Sequence, residues 1–430
     1  MNRSTVWRSA AVLGAASLAL AACGGSSSGG AGTSASASAS STIPVNKGPL
    51  VIGSVLPQTG SLAFLGPPEF AGVALAIKDI NAAGGVLGQP VTNIPGDSGD
   101  TSTNIASQTV DRLLSQKADV IIGAASSSVT LTIIDKITSA GVLEISPANT
   151  SIKLSTYPDH GLYWRTAPPD TFQGAVLGNL VAKDGNATAG VLALQDAYGE
   201  GLAKTFSEKF TSSGGTVTKQ VIYDPKAPDF SAEVSQIKAT NPDAVVLIGF
   251  DESKKILQEL IKQGIGPDKK KLYLVDGNLS NTLATGLPAG IMNGVKGTTP
   301  GAQAPDAFRQ QLLAVDPKLT DFSYSAESYD AVILAALAAD AAKNVDGRAI
   351  ATKMVDVSKG GVQCTTYKDC LALLNAGKDI NYDGVSGPVD FYDNGDPSKA
   401  TMGIYQFGKD NKYAPIAIQY VTGDVPAATG

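Results

Sequence analysis

The chain has 430 residues, which exceeds one typical domain and predicts two folded lobes. It carries 33 basic and 39 acidic residues, and its formal net charge of −6 argues against nucleic acid as a partner. His160 is the only histidine, which leaves little material for a zinc site or a Ser-His-Asp triad.

The first 22 residues have the pattern of a lipoprotein signal peptide. Arg3 and Arg8 give a positive start, and Ala10 to Leu20 is an apolar core too short to span a bilayer. The sequence Leu20-Ala21-Ala22-Cys23 matches a lipobox, which predicts cleavage before Cys23 and lipid attachment to it. The alternative is an ordinary cleaved signal with a chance cysteine. Removal of residues 1–22, which contain two bases and no acid, would leave a formal charge of −8.

Residues 23–48 consist mostly of Gly, Ser, Ala and Thr and predict a flexible tether from the membrane surface. No later segment of the sequence is long and apolar enough to predict a membrane-spanning helix. The apolar run 331–339 predicts a core helix. We expect two discontinuous lobes after the tether. The first comprises 49–166 with 298–398, and the second comprises 167–297 with 399–422.

The first part of this region alternates predicted strands and helices, which indicates a parallel sheet covered on both faces. The strands are predicted at 50–56 and 90–94. The first helix is predicted to begin at Pro67 or Pro68 and to end before Gly84-Gly85, and the second to span 103–116.

The stretch from Val120 to Ser151 predicts two polar loops at one edge of that sheet. A β-branched strand, 119–123, leads into Ser126-Ser127-Ser128 and an amphipathic helix, and strand 142–145 leads into loop 146–151. Neighbouring parallel strands place both loops at the carboxyl edge, where open α/β sheets bind ligands. The amino end of the helix suits an anion. The alternative is that Ser126 merely caps the helix and the other serines are solvated.

Residues 163–169 break the alternation and predict the first crossing between lobes. The pattern restarts with predicted helices at 171–182, 199–212, 230–239 and 253–263 and strands at 189–194, 216–223, 243–250 and 271–275. From about 294 it predicts mainly helices, at 305–315, 325–343, 347–358 and 367–377, and then strands at 388–392, 403–408 and 413–420. Residues 393–396 resemble a calcium loop only superficially, because the ligand spacing is wrong, and predict a tight turn.

Two cysteines remain after Cys23, and in an exported chain Cys364 and Cys370 are most simply a local disulfide. No metal site or cofactor is expected.

Taken together, the segments resemble the type I solute-binding proteins of bacterial ABC importers, in the branched-chain amino-acid branch. The resemblance rests on IGSVLPQTGSLAFLGPPEFAGVALAIKDINAAGGVLGQP, IIGAASSS with EISPANTS, YWRTAPPD, DAYGEGLA and DFSAEVSQIKATNPDAVVLIGF. It covers nearly all of 49–420. It implies an α/β fold of two doubly wound parallel-sheet lobes, joined by three crossings, that close on a ligand in the cleft.

The resemblance also implies which residues bind. Ser127 and Thr150 would offer hydroxyls to a ligand carboxylate, with Ala148 contributing its backbone. Tyr198 would be the closing aromatic residue of the opposite lobe, and Asp276 would receive an α-ammonium group. The residues that fall where the family lines its side-chain pocket are Phe64, Leu65, Phe250 and Tyr324.

Three positions depart from the family pattern and leave the ligand's side chain open. Leu65 stands where leucine-binding members carry tyrosine, and Phe250 stands where they also tend to have tyrosine. Asp276 stands where they have glutamate, which has a longer side chain. Structural roles are alternatives for each: Leu65 and Phe250 could be core residues and Asp276 a turn residue. Tyr198 could simply pack at a helix start.

The function expected from the resemblance is import of a small amino acid, with an ABC permease and ATPase as partners. The protein would be a monomer, held at the outer face of the cell membrane by its lipid. Alternatives are an anchored sensor that feeds a membrane kinase, or a binder of a related amide or aromatic acid. A further alternative is an exported serine hydrolase built on Ser127. Against it, the sequence has no G-x-S-x-G elbow and no histidine near the serine loop.

Overall fold

The computed structural model describes residues 43–428. The predicted signal peptide, Cys23 and most of the predicted tether therefore lie outside the described residues. No helix within 43–428 is long and apolar enough to span a membrane. The elements in chain order are β1 (Val51–Leu56), α1 (Gly66–Ala82), β2 (Thr92–Asp97), α2 (Ile105–Ser115), β3 (Val120–Gly123), α3 (Ser127–Ser139), β4 (Leu143–Ser146), β5 (Tyr163–Arg165), α4 (Asp170–Lys183), β6 (Thr188–Leu194), α5 (Ala197–Ser212), β7 (Thr216–Tyr223), α6 (Ser231–Thr240), β8 (Ala244–Ile248), α7 (Ser253–Lys262), β9 (Lys271–Val275), β10 (Lys296–Pro300), α8 (Asp306–Val315), α9 (Ser325–Ala342), α10 (Gly347–Ala351), α11 (Met354–Ser358), β11 (Val362–Cys364), α12 (Tyr367–Asn375), β12 (Ile380–Gly384), β13 (Gly387–Pro388), β14 (Lys399–Gln406) and β15 (Gln419–Asp424).

The first lobe is built on a sheet of five parallel strands in the order β2-β1-β3-β4-β5. Helices α1 and α9 pack on one face, and α2 and α3 pack on the other. Residues 331–339 of α9 are fully buried, which confirms the predicted core helix. Apolar residues on both faces of the sheet therefore define this lobe, as the alternating pattern predicts.

The second lobe is built on seven strands in the order β15-β14-β10-β9-β8-β6-β7. Strands β6 to β10 run parallel, whereas β14 pairs antiparallel with β10 and β15 pairs antiparallel with β14. The chain passes between the two sheets after β5, after β10 and before β14. The predicted fold class, two parallel-sheet lobes joined by three crossings, is confirmed.

Two strands lie where the sequence predicts none. Strand β5 occupies part of the predicted first crossing, and β10 extends the second sheet three residues beyond 297, the predicted lobe boundary. Neither has a run of β-branched apolar residues, and each becomes a strand through its neighbours: β5 pairs with β4, and β10 lies between β9 and β14. The small sheet β11-β12-β13 was also not predicted.

The carboxyl-terminal strand predictions are partly wrong. Of 388–392 only Pro388 is in a strand, and the last strand lies at 419–424 instead of 413–420. Pro415 has no N–H to donate to a neighbouring strand. The helix predicted at 347–358 is divided into α10 and α11. The tight turn at 393–396 is present, because Gly395 N–H donates to the Tyr392 carbonyl at 3.1 Å.

The predicted pair Cys364 and Cys370 forms a disulfide between β11 and α12. Replacing both by serine should lower the free energy of unfolding by about 2 kcal/mol at most, because six positions separate the cysteines and the closed loop is short. Urea denaturation of the oxidised parent and the variant measures this difference. Ligand affinity should not change, and a weakened ligand affinity in the variant would contradict this local role.

Candidate ligand-binding site

Eight of the nine predicted ligand-binding residues line one cavity, with about 260 Å³ of space between its lining atoms. They come from both lobes: Leu65, Ser127, Ala148, Thr150, Tyr198, Phe250, Asp276 and Tyr324. Phe64 is the exception, because it is half-buried and packs against the core of the second lobe. Leu62, which the sequence analysis did not single out, lines the cavity instead.

The amino end of α3 forms one side of the cavity. Ser126 caps the helix, since its Oγ accepts a hydrogen bond from Val129 N–H at 3.4 Å. Ser127 is the first helical residue, and its Oγ accepts from the N–H groups of Thr150 at 3.3 Å and Ser151 at 3.2 Å. These bonds use the oxygen of Ser127 as an acceptor, so its own proton can be donated to an anion. Ser126 therefore caps the helix, whereas the Ser127 hydroxyl does not, and both serines line the cavity.

Hydrogen bonds within the first lobe hold loop 146–151 against the end of β3. Ser146 Oγ accepts from Asn149 N–H at 2.9 Å and Ala148 N–H at 3.3 Å. The Asn149 side chain donates to the carbonyls of Ala124 and Ala125 at 2.9 and 2.8 Å. Because the N–H of Ala148 is bonded within the loop, Ala148 would offer a ligand its carbonyl oxygen.

Arg165 also holds loop 146–151 in place through hydrogen bonds to its backbone. Its side chain is fully buried, and Nη1 donates to the carbonyls of Asn149 at 3.3 Å and Ser151 at 2.9 Å, on either side of Thr150. Its charge is paired with Asp396, at 2.7 Å, in the turn that precedes β14. The sequence analysis missed this pair. Its signal is a basic residue directly after the apolar Tyr163-Trp164.

Asp276 forms the opposite side of the cavity, directly after β9. It is 6% exposed and accepts three hydrogen bonds, from Tyr198 Oη at 2.7 Å, Gln173 Nε2 at 2.7 Å and Tyr324 Oη at 2.6 Å. Burial raises the pKa of Asp276, and these three donors partly oppose the shift. Asp276 is therefore a buried acceptor and not only a turn residue.

Asp170 is a second acid that the sequence analysis missed. It begins α4, it is fully buried, and neither of its carboxylate oxygens has a hydrogen-bond partner among the described residues. Burial raises the pKa of Asp170 well above its usual value, the nearby Thr150 hydroxyl and Arg165 oppose this shift, and Asp276 adds to it. The available signal is an acid at a helix start, after Pro168-Pro169. Asp170 N–H donates to the Thr150 carbonyl at 2.7 Å, and Asp170 does not line the cavity.

Aromatic side chains close the cavity. The rings of Tyr198 and Phe250 stack with centroids 5.5 Å apart and planes 10° apart. Tyr324 has φ +60°, in the left-handed region that a bulky residue rarely adopts. Its hydroxyl bond to Asp276 joins the segment before α9 to the second lobe.

Hydrogen bonds across the cleft hold the lobes together beside the cavity. Ser128 Oγ donates to Asp196 Oδ2 at 3.1 Å and accepts from Ala197 N–H at 3.1 Å. Ser151 Oγ donates to the Ala197 carbonyl at 2.8 Å. These contacts join the loops of the first lobe to the amino end of α5, so the cleft is closed in this structure.

Comparison with known proteins agrees with this architecture. Residues 49–412 match the family described as periplasmic binding protein. A Leu/Ile/Val-binding protein homolog 1 of Brucella abortus is 28% identical, over 85% of this chain and 92% of that protein. The chemotactic signal transduction system substrate-binding protein BasB of Halobacterium salinarum is 26% identical, over 80% of this chain and 83% of that protein.

Solved structures share the fold. The branched-chain amino acid transporter substrate-binding protein LivJ of Streptococcus pneumoniae, in complex with isoleucine, has a TM-score of 0.71 and 22% identity, over 88% of this chain and 100% of that chain. A solute-binding protein of an ABC transporter of R. palustris, in complex with 4-hydroxybenzoate, has a TM-score of 0.72 and 16% identity, over 88% and 98%. At these identities the likeness is one of fold.

Proposed function

Because the chain belongs to the periplasmic binding protein family, we propose that it is the lipid-anchored solute-binding component of an ABC importer. It captures a small amino acid in the cleft and delivers it to the permease and ATPase. The observation that carries the proposal is the pair of opposed poles in the cavity. Ser127, at the amino end of α3, and Thr150, in the loop after β4, line one side of the cavity, and the buried Asp276 lines the other.

Those poles match the two ends of a zwitterion. Ser127 and Thr150, at the positive end of a helix dipole, suit a carboxylate without a buried arginine at the contact. Asp276 and the carbonyl oxygen of Ala148 are acceptors for an ammonium group.

The remaining walls suit a small apolar side chain. Leu62, Leu65 and the stacked ring of Phe250 line the cavity and offer no hydrogen bond to a polar side chain. The Brucella relative carries the name of a Leu/Ile/Val-binding protein, which supports a branched-chain or similar amino acid.

Calorimetric titration with a panel of amino acids and aromatic acids tests this function. One aliphatic amino acid should bind with a clear preference over the aromatic acids. Ser127→Ala with Thr150→Ala should weaken it by about 1.5–3 kcal/mol for each hydroxyl lost, since each bonds a charged group. Ser102→Ala, an exposed serine outside this cavity, is the matched control. Unchanged affinity in the double variant would place the carboxylate elsewhere.

A sensor function is the second candidate, and the similarity to BasB favours it. The same closed cleft could present its ligand state to a membrane kinase instead of a permease. Deletion of the gene distinguishes the two functions. Loss of amino-acid uptake supports import, whereas intact uptake with a lost response to the amino acid supports sensing.

A binder of an aromatic acid is a weaker candidate, although the R. palustris neighbour binds 4-hydroxybenzoate. A plain carboxylic acid would leave Asp276 facing a ligand with no positive charge. Burial of an acid without a cation is unfavourable.

A further inference from the structure

A second cavity lies next to the cleft, and Asp276 does not line it. Its volume is about 150 Å³, and its lining atoms come from the crossing after β10, the segment before α9 and the strands β14 and β15. Tyr324 lines both this cavity and the cleft. We call it the crossing cavity. No part of the proposed import function uses it.

The wall of the crossing cavity is aromatic. Tyr405 and Tyr413 meet edge to face with ring centroids 5.3 Å apart, and Tyr420 lies beside them in the lining. Tyr413 Oη is already bonded to the Leu279 carbonyl at 2.8 Å, which fixes its ring. The face of a tyrosine ring attracts an organic cation, most strongly where water is partly excluded.

Glu327 supplies an unused carboxyl oxygen to the same cavity. It lies in the first turn of α9 and is 3% exposed, and its Oε1 has no hydrogen-bond partner among the described residues. A Cβ at Gly301 would lie 2.7 Å from that oxygen, so the glycine of the crossing leaves room for the carboxyl. Burial raises the pKa of Glu327 to about 8. A cation beside it would favour the charged form.

The charges around the cavity also favour a cation. Arg309 is the one basic side chain among the described residues that line it, and it is paired with Asp306. Asp321 adds a second acid. We propose that the crossing cavity is a second ligand site, which takes a small organic ammonium ion against its tyrosines and the carboxyl of Glu327.

Calorimetric titration with choline and with its neutral isostere 3,3-dimethylbutan-1-ol tests the proposal. Choline should bind one equivalent, and the alcohol, which has the same shape without the charge, should bind at least about tenfold more weakly. Glu327→Gln keeps the volume and should weaken choline by about tenfold. Tyr420→Leu, at a half-buried position, should weaken it as well and tests the aromatic wall independently.

Glu144→Gln is the matched control, because Glu144 is also fully buried with both oxygens unpartnered among the described residues, yet does not line this cavity. It should leave choline affinity unchanged, and thermal melting checks that each variant is folded. The proposal is wrong if choline does not bind at about 10 mM, if the alcohol binds equally well, or if Glu144→Gln weakens choline as much as Glu327→Gln. Choline binding that Asp276→Asn abolishes and Glu327→Gln spares would place choline in the cleft and overturn the proposal. The other results do not bear on capture of an amino acid.

Discussion

Asp276→Asn should remove most of the preference for an amino acid over its deaminated analogue. The parent should bind leucine several kcal/mol more tightly than 4-methylpentanoate, since an ammonium buried without an acid is costly. Asparagine keeps one oxygen for the hydroxyl of Tyr198 and the amide of Gln173, which both bond Oδ1 at 2.7 Å. The fold should therefore persist while the charge is lost. Calorimetric affinities for the two ligands measure the preference.

Asp170→Asn is the informative companion to this variant. Asp170 is fully buried near Asp276, but it lies beside Thr150 and does not line the cavity. If Asp276 carries the ammonium contact, its variant should lose more of the preference than Asp170→Asn does. Full discrimination in the Asp276 variant, together with its loss in Asp170→Asn, would move the contact to Asp170. Full discrimination in both variants would remove the residue-level support for an amino acid.

The part of the site that the first lobe supplies could be predicted because its elements follow one another directly along the chain. Strands β3 and β4 are consecutive and parallel neighbours, with Val120 opposite Leu143. The loops that follow them must therefore meet, and Ser127 Oγ lies within hydrogen-bond distance of Thr150 N. Alternating strands and helices predict both sheets for the same reason, because each element contacts the next.

The residues that were missed depend on contacts between distant segments. Gln173 donates to Asp276 from α4, about a hundred positions earlier in the chain, and Asp170 of the same helix lies near enough to influence the Asp276 charge; no local pattern connects these residues. The choice between Phe64 and Leu62 depends on a compact turn, in which Leu65 N–H donates to the Leu62 carbonyl at 2.9 Å. Residues three apart in such a turn share a face, so Leu62 and Leu65 line the cavity and Phe64 does not.

Asp396→Asn should lower the free energy of unfolding by about 3–5 kcal/mol, because it leaves the guanidinium of Arg165 buried without a counter-charge. The side chains of Arg165 and Asp396 are 0% and 3% exposed, and Arg165 Nε also donates to Asp396 Oδ1 at 2.7 Å. Urea denaturation measures the loss. Ligand affinity should fall too, because Arg165 holds the carbonyls on either side of Thr150.

Asp356→Asn is the control for this prediction, since it breaks the Lys353–Asp356 pair, whose side chains are 40% and 55% exposed. It should change the free energy of unfolding by less than about 1 kcal/mol, as solvent screens the charges of an exposed pair. Arg165→Met with Asp396→Leu should recover part of the stability lost in Asp396→Asn, because no lone charge remains buried. Ligand affinity should stay low in that double variant, since methionine cannot donate to the loop carbonyls. Equal small effects of Asp396→Asn and Asp356→Asn would mean that the buried pair supports neither the fold nor the loop that carries Thr150.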